Sequence, residues 1–487
     1  MTISKARTFR NIIYSTLNKA ATLVCIALTS CVVARNLTPR DYGVVGFAGI
    51  IIGFLGHFGD VGVGSAAIRR SVLDQRSLGT AFTLKIILSS GAFIIAFLLA
   101  PFARHLFDHP ATGNVIRVLS LDFLLSTIGF MSLVTLMREQ NYRALVIPGV
   151  VGAVVRCTLA VALILCGWKY WAVVAADVGA TLAGSVAVQV AKRIPMSFHF
   201  DWTDARQFLG FGVPLLGGGV LIFLIFNLDN FLVGSYMGST QLGYYALAFT
   251  WGSFVCGLLA DTVNNVMLPT FSAIQDDTAA MRRWYLKTVD LVGFVAVVTN
   301  TTLLANTRFF LVTFLGKGTG KWMPAAISLE ILCVYGILRA ITEPIGNCIM
   351  ARGNTKLLLY ANGLAGTVEI LLLLLVLRIG RIELVASAVL IAYATQSIVY
   401  LPFLRRNLGV GAVDIIVQLW PLVPALLGGC IITSLLPDWL GGTLLTLVGR
   451  GLFTALLVAL IHGLCSRFRC FEEAGGMISQ SLARVRA

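Results

Sequence analysis

Charged side chains inside long apolar segments are the residues of this sequence whose types and positions could do chemistry. Four basic residues lie deep in such segments, namely Lys19, Arg156, Arg339 and Arg450. An Arg in the middle of a membrane helix costs about 2.5 to 3.5 kcal/mol on insertion scales. Each of these cations therefore needs water, a carboxylate or a phosphate group beside it, and together they favour an anionic ligand.

Arg156 and Arg339 have different surroundings in the sequence. Glu343 follows Arg339 by four residues, which places both on one helical face. An ion pair and a ligand-binding role are therefore equal alternatives for Arg339. Arg156 has no acidic neighbour in its own segment, and we predict that it faces a cavity, because intramembrane charges by default mark function. The alternative for Arg156 is a partner on another helix, with Asp122, Asp177 and a backbone carbonyl as candidates.

Lys19 and Arg450 lie in the first and the last apolar segment of the chain. The long side chain of Lys19 can reach the inner membrane surface, so a simple solvated position is as good an interpretation as ligand binding. For Arg450 a structural role is favoured. The basic residues predicted to bind a ligand are therefore Lys19, Arg156 and Arg339.

Carboxylates in apolar segments form the second group of candidates. Those predicted to bind an exchangeable ion are Asp229, Asp261, Glu343 and Glu369. Burial favours the protonated form of a carboxyl group, as a proton carrier requires. Asn residues close to Asp229 and Asp261 add oxygen atoms that suit a hard cation. We predict coupling to H⁺ or Na⁺ and no other cofactor, with local hydrogen bonding at a helix break as the alternative.

The composition identifies the elements that must position these residues. Apolar residues make up 57% of the 487 residues and charged residues 12%, against about a quarter charged in a soluble domain. The net charge of +15 is spread in small groups beside apolar segments, which indicates membrane topology and no nucleic-acid partner. The ten cysteines show no CxxC and no metal-ligand spacing, so no metal site is predicted.

Apolar stretches long enough to cross a bilayer recur along the whole chain. A window of about 20 residues predicts fourteen transmembrane helices and an all-α polytopic membrane protein. The predicted spans are 11–34, 43–64, 80–102, 115–137, 145–167, 170–190, 208–234, 243–267, 288–313, 324–346, 357–377, 383–404, 414–436 and 442–464.

Basic residues predict how these helices are oriented. With a cytoplasmic N-terminus, 23 of the 37 Lys and Arg residues fall in inner segments and 10 in outer segments. The positive-inside rule therefore places both termini in the cytoplasm. The basic N-terminal segment precedes a long apolar stretch without a convincing cleavage site, so we interpret it as the start of a retained first helix. Short outer loops and scattered histidines argue against an enzyme, such as a polysaccharide polymerase or transferase, and no catalytic residue is predicted.

A weak internal repeat organises the predicted helices. LTPRDYG at Leu37–Gly43 follows span 1 as MGSTQLG at Met237–Gly243 follows span 7, with an offset of 200 residues. Six helices per repeat is an even number, so both halves have the same orientation and an axis along the membrane normal. The predicted domains are an N-terminal six-helix lobe at 1–200, a C-terminal six-helix lobe at 201–407, two additional helices at 408–465 and a cytoplasmic tail at 466–487.

Four segments resemble a known family, the bacterial polysaccharide exporters or lipid-linked oligosaccharide flippases, whose superfamily also contains the multidrug and toxic compound extrusion (MATE) transporters. They are LTPRDYG, DNFLVGSYMGSTQLGYY at Asp229–Tyr245, FLGKGTGKWMPAA at Phe314–Ala326 and CIMARGNTK at Cys348–Lys356. The hydropathy pattern is similar over residues 1 to about 465. None of these segments is a catalytic signature.

The resemblance implies a fold and a function. The expected fold is MATE-like, with two six-helix lobes in a V and a cavity that opens alternately to each side. The expected function is translocation of undecaprenyl-pyrophosphate-linked oligosaccharides across the bacterial inner membrane for exopolysaccharide, O-antigen or capsule synthesis. Expected partners are that glycan, membrane lipids and a polysaccharide polymerase or copolymerase. The alternatives are a cation-coupled multidrug exporter, a flippase for the peptidoglycan lipid precursor and, with less support, a membrane enzyme.

Overall fold

The chain folds into α-helices with no strand among the residues that the structure, a computed structural model, describes, namely 22, 25–107, 109–434 and 444–465. The helices before the middle of the chain are α1 (Cys25–Asn36), α2 (Pro39–Asp60), α3 (Val63–Arg69), α4 (Gln75–Leu106), α5 (Thr112–Leu119), α6 (Leu121–Leu125), α7 (Phe130–Arg138), α8 (Tyr142–Leu165), α9 (Tyr170–Ala191) and α10 (Trp202–Ala273). Those after it are α11 (Thr278–Ala305), α12 (Thr307–Phe309), α13 (Ala326–Ala351), α14 (Thr355–Val376), α15 (Ile382–Leu408), α16 (Ala412–Leu419), α17 (Leu422–Ser434) and α18 (Leu444–Cys465).

Eleven helices within the described residues are long and apolar enough to cross a membrane, and a bent pair brings this number to twelve. The bent pair joins Thr112–Leu125 to Phe130–Arg138 at 53° and corresponds to the predicted span 115–137. The fold prediction of an all-α polytopic membrane protein is confirmed. The predicted span 11–34 lies partly outside the described residues.

The longest helix, α10 at Trp202–Ala273, contains two of the predicted spans. Gly238, at φ 85° and ψ 177°, interrupts the helical backbone of α10. Only glycine adopts this combination without large steric cost. The interruption falls between the predicted spans 208–234 and 243–267, so the chain turns where the sequence places a Gly-rich break.

A second interruption separates α2 from α3. Val61 and Gly62 both have left-handed backbone angles, with φ 44° and 66°. The Val61 carbonyl lies so close to Gly212 of α10 that a Cβ at Gly212 would overlap it. The glycines at the start of the predicted span 7 therefore allow close helix packing here.

The helices form two compact units, residues 1–243 and 244–487. The first unit includes the part of α10 that precedes Tyr244, because this part packs on the helices before it. Arg70 Nη1 lies 2.7 Å from Asp204 Oδ1, and the rings of Phe47 and Phe231 stack with centroids 5.5 Å apart. The two compact units therefore meet after Gly243 in the chain. The repeat predicts a lobe boundary at 200/201, and that boundary stays a prediction.

Two reciprocal contacts inside the first unit follow the offset of the repeat. A Cβ at Gly43 would overlap the Ser239 carbonyl oxygen, and a Cβ at Gly243 would overlap the Pro39 carbonyl oxygen. Each contact is converted into the other by adding or subtracting 200 residues. Such exchange is the property of a contact at a two-fold axis, so the geometry supports the offset at residue level.

In the second unit the last two helices pack on α11. Buried Val297 of α11, Leu422 and Ala425 of α17 and Val458 of α18 share one apolar cluster. Arg450 of α18 donates from Nη2 to the Thr433 carbonyl at 3.0 Å. Its contacts thus lie within this helix packing, in keeping with the structural role favoured from the sequence.

Candidate functional site

The intramembrane Arg of the first unit lies against an acidic residue of the next helix. Arg156 on α8 places its Nε atom 2.6 Å from Asp177 Oδ1 on α9, with the side chains 42% and 24% exposed. The structure therefore provides the interhelical partner that the sequence left open as an alternative. Arg156 also contributes to the wall of a cavity. Whether it contacts a ligand stays a prediction.

A second carboxylate joins this pair. Asp122 on α6 interacts electrostatically with Asp177 and Arg156, and hydrogen-bonds with the Thr181 side chain. The Oδ1 atom of Asp122 is sealed from solvent and has no hydrogen-bond partner among the described residues. Asp122 thus acts on the Arg156–Asp177 ion pair through its charge, and we call Asp122, Arg156 and Asp177 the charged triad.

Small residues allow the helices of the triad to approach closely. A Cβ at Gly152 of α8 would lie 3.3 Å from the Ala180 carbonyl oxygen, and one at Gly184 of α9 would lie 3.7 Å from the Pro148 carbonyl oxygen. Small residues at helix contacts are typical of membrane proteins, where close backbone approach increases packing energy. This packing fixes the position of the Arg156–Asp177 pair between α8 and α9.

The cavity beside Arg156 has a volume of about 680 Å³ and lies entirely within the first unit. Most of its lining surface is apolar, and Arg156 and a few hydroxyl groups add polar contacts. Residues of α1 and of α7 to α9 contribute to this wall, together with residues close to the bend before α7. The polar residues that line it are Thr22, Thr29, Ser126, Arg156, Thr181 and Ser185.

Arg339 in the second unit has a different environment. It lies on α13, within electrostatic range of Tyr335, Cys256, Tyr393 and Glu343. The rings of Tyr335 and Tyr393 meet edge to face with centroids 5.4 Å apart, and Cys256 is fully buried. We call Arg339, Glu343, Tyr335 and Tyr393 the aromatic cluster. The structure brings Arg339 and Glu343 together, as the helical spacing predicts.

The remaining predicted residues are Asp229, Glu369, Asp261 and Lys19. Asp229 is 1% exposed and accepts a hydrogen bond from Asn230 Nδ2 at 3.1 Å. Glu369 on α14 is 7% exposed. Asp261 lies on α10, but its side chain is outside the described residues, as is Lys19. The ion-coupling roles of Asp229, Asp261, Glu343 and Glu369 stay predictions.

Sequence reasoning did not select Asp122 and Asp177 as site residues. It considered them only as partners of Arg156. Each is followed by a hydroxyl residue four positions later, Ser126 and Thr181, on the same helical face. This spacing was the available signal, because those two hydroxyl residues line the cavity.

The sequence profile of a protein family described as polysaccharide biosynthesis protein matches residues 32–326 of this chain. The match spans more than half of the 487 residues. The chain belongs to this family. The lipopolysaccharide biosynthesis protein WzxC of Escherichia coli (strain K12) is 24% identical over 348 residues, 69% of each chain. The teichuronic acid biosynthesis protein TuaB of Bacillus subtilis (strain 168) is 24% identical over 62% of each chain.

Solved structures share the fold of this family member. The lipid II flippase MurJ in an inward closed conformation matches with a TM-score of 0.72 and 14% identity, over 93% of this chain and 99% of that one. An inward-facing multidrug resistance MATE transporter matches with a TM-score of 0.66 and 14% identity, over 80% and 94%. The predicted MATE-like fold is confirmed.

Proposed function

We propose that this protein is a flippase that moves oligosaccharides linked to undecaprenyl pyrophosphate across the bacterial inner membrane by alternating access. Its family, the names of its relatives and the flippase and transporter folds that it shares support this role. A polyprenyl tail can remain in lipid, but the pyrophosphate and the sugars must cross about 30 Å of hydrocarbon. The protein must therefore supply a polar and cationic route.

The observation that carries the proposal is Arg156, paired with Asp177, at the wall of a cavity inside the first unit. A guanidinium forms paired hydrogen bonds with phosphate oxygens. Since Asp177 already holds Arg156 in the membrane interior, the charge is present before a ligand arrives. A pyrophosphate would then compete with one carboxylate, and the cost of inserting a bare cation does not arise.

The same observation separates the proposal from its main alternative. A drug exporter carries organic cations, which a guanidinium at the cavity wall repels. Arg156 instead attracts an anionic substrate. An enzyme has no observation in its favour, and we propose that the chain performs no covalent step.

The proposal includes location and partners. Both termini lie in the cytoplasm according to the charge bias of 23 to 10, and a polysaccharide polymerase or copolymerase takes up the translocated glycan. Single cysteines placed at Gly238 and at Asp276 test the topology with a reagent that cannot cross the membrane. Labelling from outside is expected at position 238 only, and labelling at 276 but not at 238 contradicts the orientation.

The decisive experiment asks where the carrier-linked glycan accumulates in cells that lack this protein. We expect the glycan on the cytoplasmic leaflet, and its return to the outer leaflet on expression of the wild type. Arg156→Ala should fail to restore export at an unchanged membrane level. Arg381→Ala is the matched control, because Arg381 is 63% exposed and its ion pair with Glu383 is long, at 3.5 Å. Accumulation on the outer leaflet would contradict the proposed function.

A further inference from the structure

We propose that Asp122 and Asp177 share one exchangeable proton, and that this proton decides whether Arg156 is available to an anion. The inference rests on the proposed function for its consequence, energy coupling, but the proton site itself stands on the geometry of the charged triad. It assigns coupling to residues other than Asp229, Asp261, Glu343 and Glu369.

The charge balance of the triad is the first argument. Two carboxylates and one guanidinium leave a net charge of −1 when both acids are ionised. Two carboxylates that share a site with low solvent access do not both ionise readily. The group therefore has a reason to hold a proton that a one-to-one ion pair lacks.

Other cations near α6 do not change this balance. The helices that pack against α6 are α4, α5 and α9. On α4, Lys85 lies 3.3 Å from Asp60 Oδ1 and Arg76 is exposed. On α5, Arg117 stacks over the ring of Phe97 at 5.1 Å. Asp177 is the acidic residue of α9.

Groups on α1 and α2 have other contacts. His57 on α2 faces the Phe223 ring of α10, with centroids 5.4 Å apart, and lies beside Gly219. Cys25 on α1 lines the cavity and interacts with Cys157 of α8. Among the described side chains, the charged groups that interact with Asp122 are Asp177 and Arg156.

The free Oδ1 atom of Asp122 is the second argument. This atom is buried and has no hydrogen-bond partner among the described residues. An unpaired buried acceptor costs about 1 to 3 kcal/mol, and more if it is charged. A proton on the carboxyl group removes the negative charge, and the resulting O–H can donate to a neighbouring oxygen. The geometry thus contains a polar atom that protonation would satisfy.

Protonation has a direct consequence for Arg156. One O–H bond forms on the carboxyl pair, and the negative charge that faces the guanidinium falls from two to one. The total negative charge around Arg156 is then smaller, so an anion in the cavity meets less repulsion. Proton binding and anion binding therefore favour each other, as linkage requires.

Infrared difference spectroscopy on the purified full chain, in vesicles of phosphatidylethanolamine and phosphatidylglycerol, tests the proton site directly. The readout is the C=O stretch of a protonated carboxyl group as the pH is varied. We expect one band that Asp122→Asn removes. Asp414→Asn is the matched control, because Asp414 forms a one-to-one pair with Arg282, at 3.1 Å, and its substitution should leave that band unchanged.

Two conservative variants keep the test decisive if Asp122→Asn does not fold. Asp177→Asn removes the neighbouring negative charge, so the band should disappear at a lower pH than in the wild type. Thr181→Val removes a hydrogen bond that favours the ionised form, so the band should persist to a higher pH. Unchanged midpoints in both variants, or a band that survives in Asp122→Asn, would overturn the proposal.

Failure of the inference is distinguishable from failure of the proposed function. Binding of inorganic pyrophosphate by the same vesicles should strengthen as the pH falls through the midpoint of the band, and this dependence should be lost in Asp122→Asn. A titrating band without movement of the carrier-linked glycan in cells would retain the proton site and reject the flippase. Movement of the carrier-linked glycan in cells without a titrating band would retain the flippase and reject the proton site.

Discussion

The two units hold their intramembrane Arg residues in different ways. Arg156 in the first unit interacts with two carboxylates on two other helices, those of Asp122 and Asp177. It also lies beside a cavity of about 680 Å³. Arg339 in the second unit interacts with the carboxylate of Glu343, four residues along its own helix, and with the hydroxyl groups of Tyr335 and Tyr393. The charged triad has an excess of one negative charge, whereas the aromatic cluster is balanced.

This difference separates residues that can change state from residues that maintain structure. A balanced buried pair loses stability when either partner is removed or neutralised. An unbalanced group beside an open volume can bind a proton or exchange a partner with little change in packing. From this comparison we propose a ligand-responsive role for Arg156 and a packing role for Arg339, although both are Arg residues in apolar helices.

The largest expected effect is that of removing Arg339. Arg339→Ala leaves Glu343 without its local cation in a largely buried cluster, a change that typically costs about 3 to 5 kcal/mol. We expect a low membrane level and a reduced thermal midpoint of the purified protein, measured together with export per molecule. Arg156→Ala should instead retain its membrane level and lose export. Loss of export by Arg339→Ala at a wild-type level and thermal midpoint would break the comparison.

Glycine substitutions probe the packing around each Arg. A Cβ at Gly336, three residues before Arg339, would overlap the Gly252 carbonyl oxygen, so Gly336→Ala forces a backbone shift. Overpacking of this kind costs about 1 to 3 kcal/mol. Gly184→Ala near the triad meets only an ordinary contact at 3.7 Å and should leave the thermal midpoint close to that of the wild type. Equal losses in both variants would contradict the difference in packing between these two positions.

Parts of this picture could be predicted from the sequence for definite physical reasons. Apolar length determined the spans, and the Gly-rich break between predicted spans 7 and 8 appears at Gly238. The pairing of Arg339 with Glu343 follows from helical periodicity. The partner of Arg156 could not be chosen in advance, because Asp122 and Asp177 both lie on other helices and the rotation of each helix about its axis depends on tertiary packing. The place of Asp122 depends in addition on the 53° bend, which no proline marks.

Substitution of Arg by Lys sharpens the comparison at constant charge. A Lys at position 156 retains the cation but loses the planar fork that fits phosphate and carboxylate oxygens. We expect Arg156→Lys to export partially, with weaker binding of inorganic pyrophosphate. Arg339→Lys should export normally per molecule, since the cluster needs a charge near Glu343 and no phosphate contact. Pyrophosphate binding that weakens equally in both variants would show that Arg339 also reaches the ligand.

The smallest expected effect concerns the aromatic hydroxyl groups near Arg339. Tyr393→Phe removes one polar neighbour of the cation and retains the ring that meets Tyr335 edge to face. A single hydrogen-bonding group contributes about 0.5 to 1.5 kcal/mol, so the thermal midpoint should fall slightly.

The pH at which export is half-maximal should not change in Tyr393→Phe, because the aromatic cluster carries no shared proton. Asp177→Asn should move that pH downward, since the loss of a negative neighbour makes the proton leave Asp122 more easily. If Tyr393→Phe moved the pH profile as far as Asp177→Asn does, proton coupling would have to extend to the second unit.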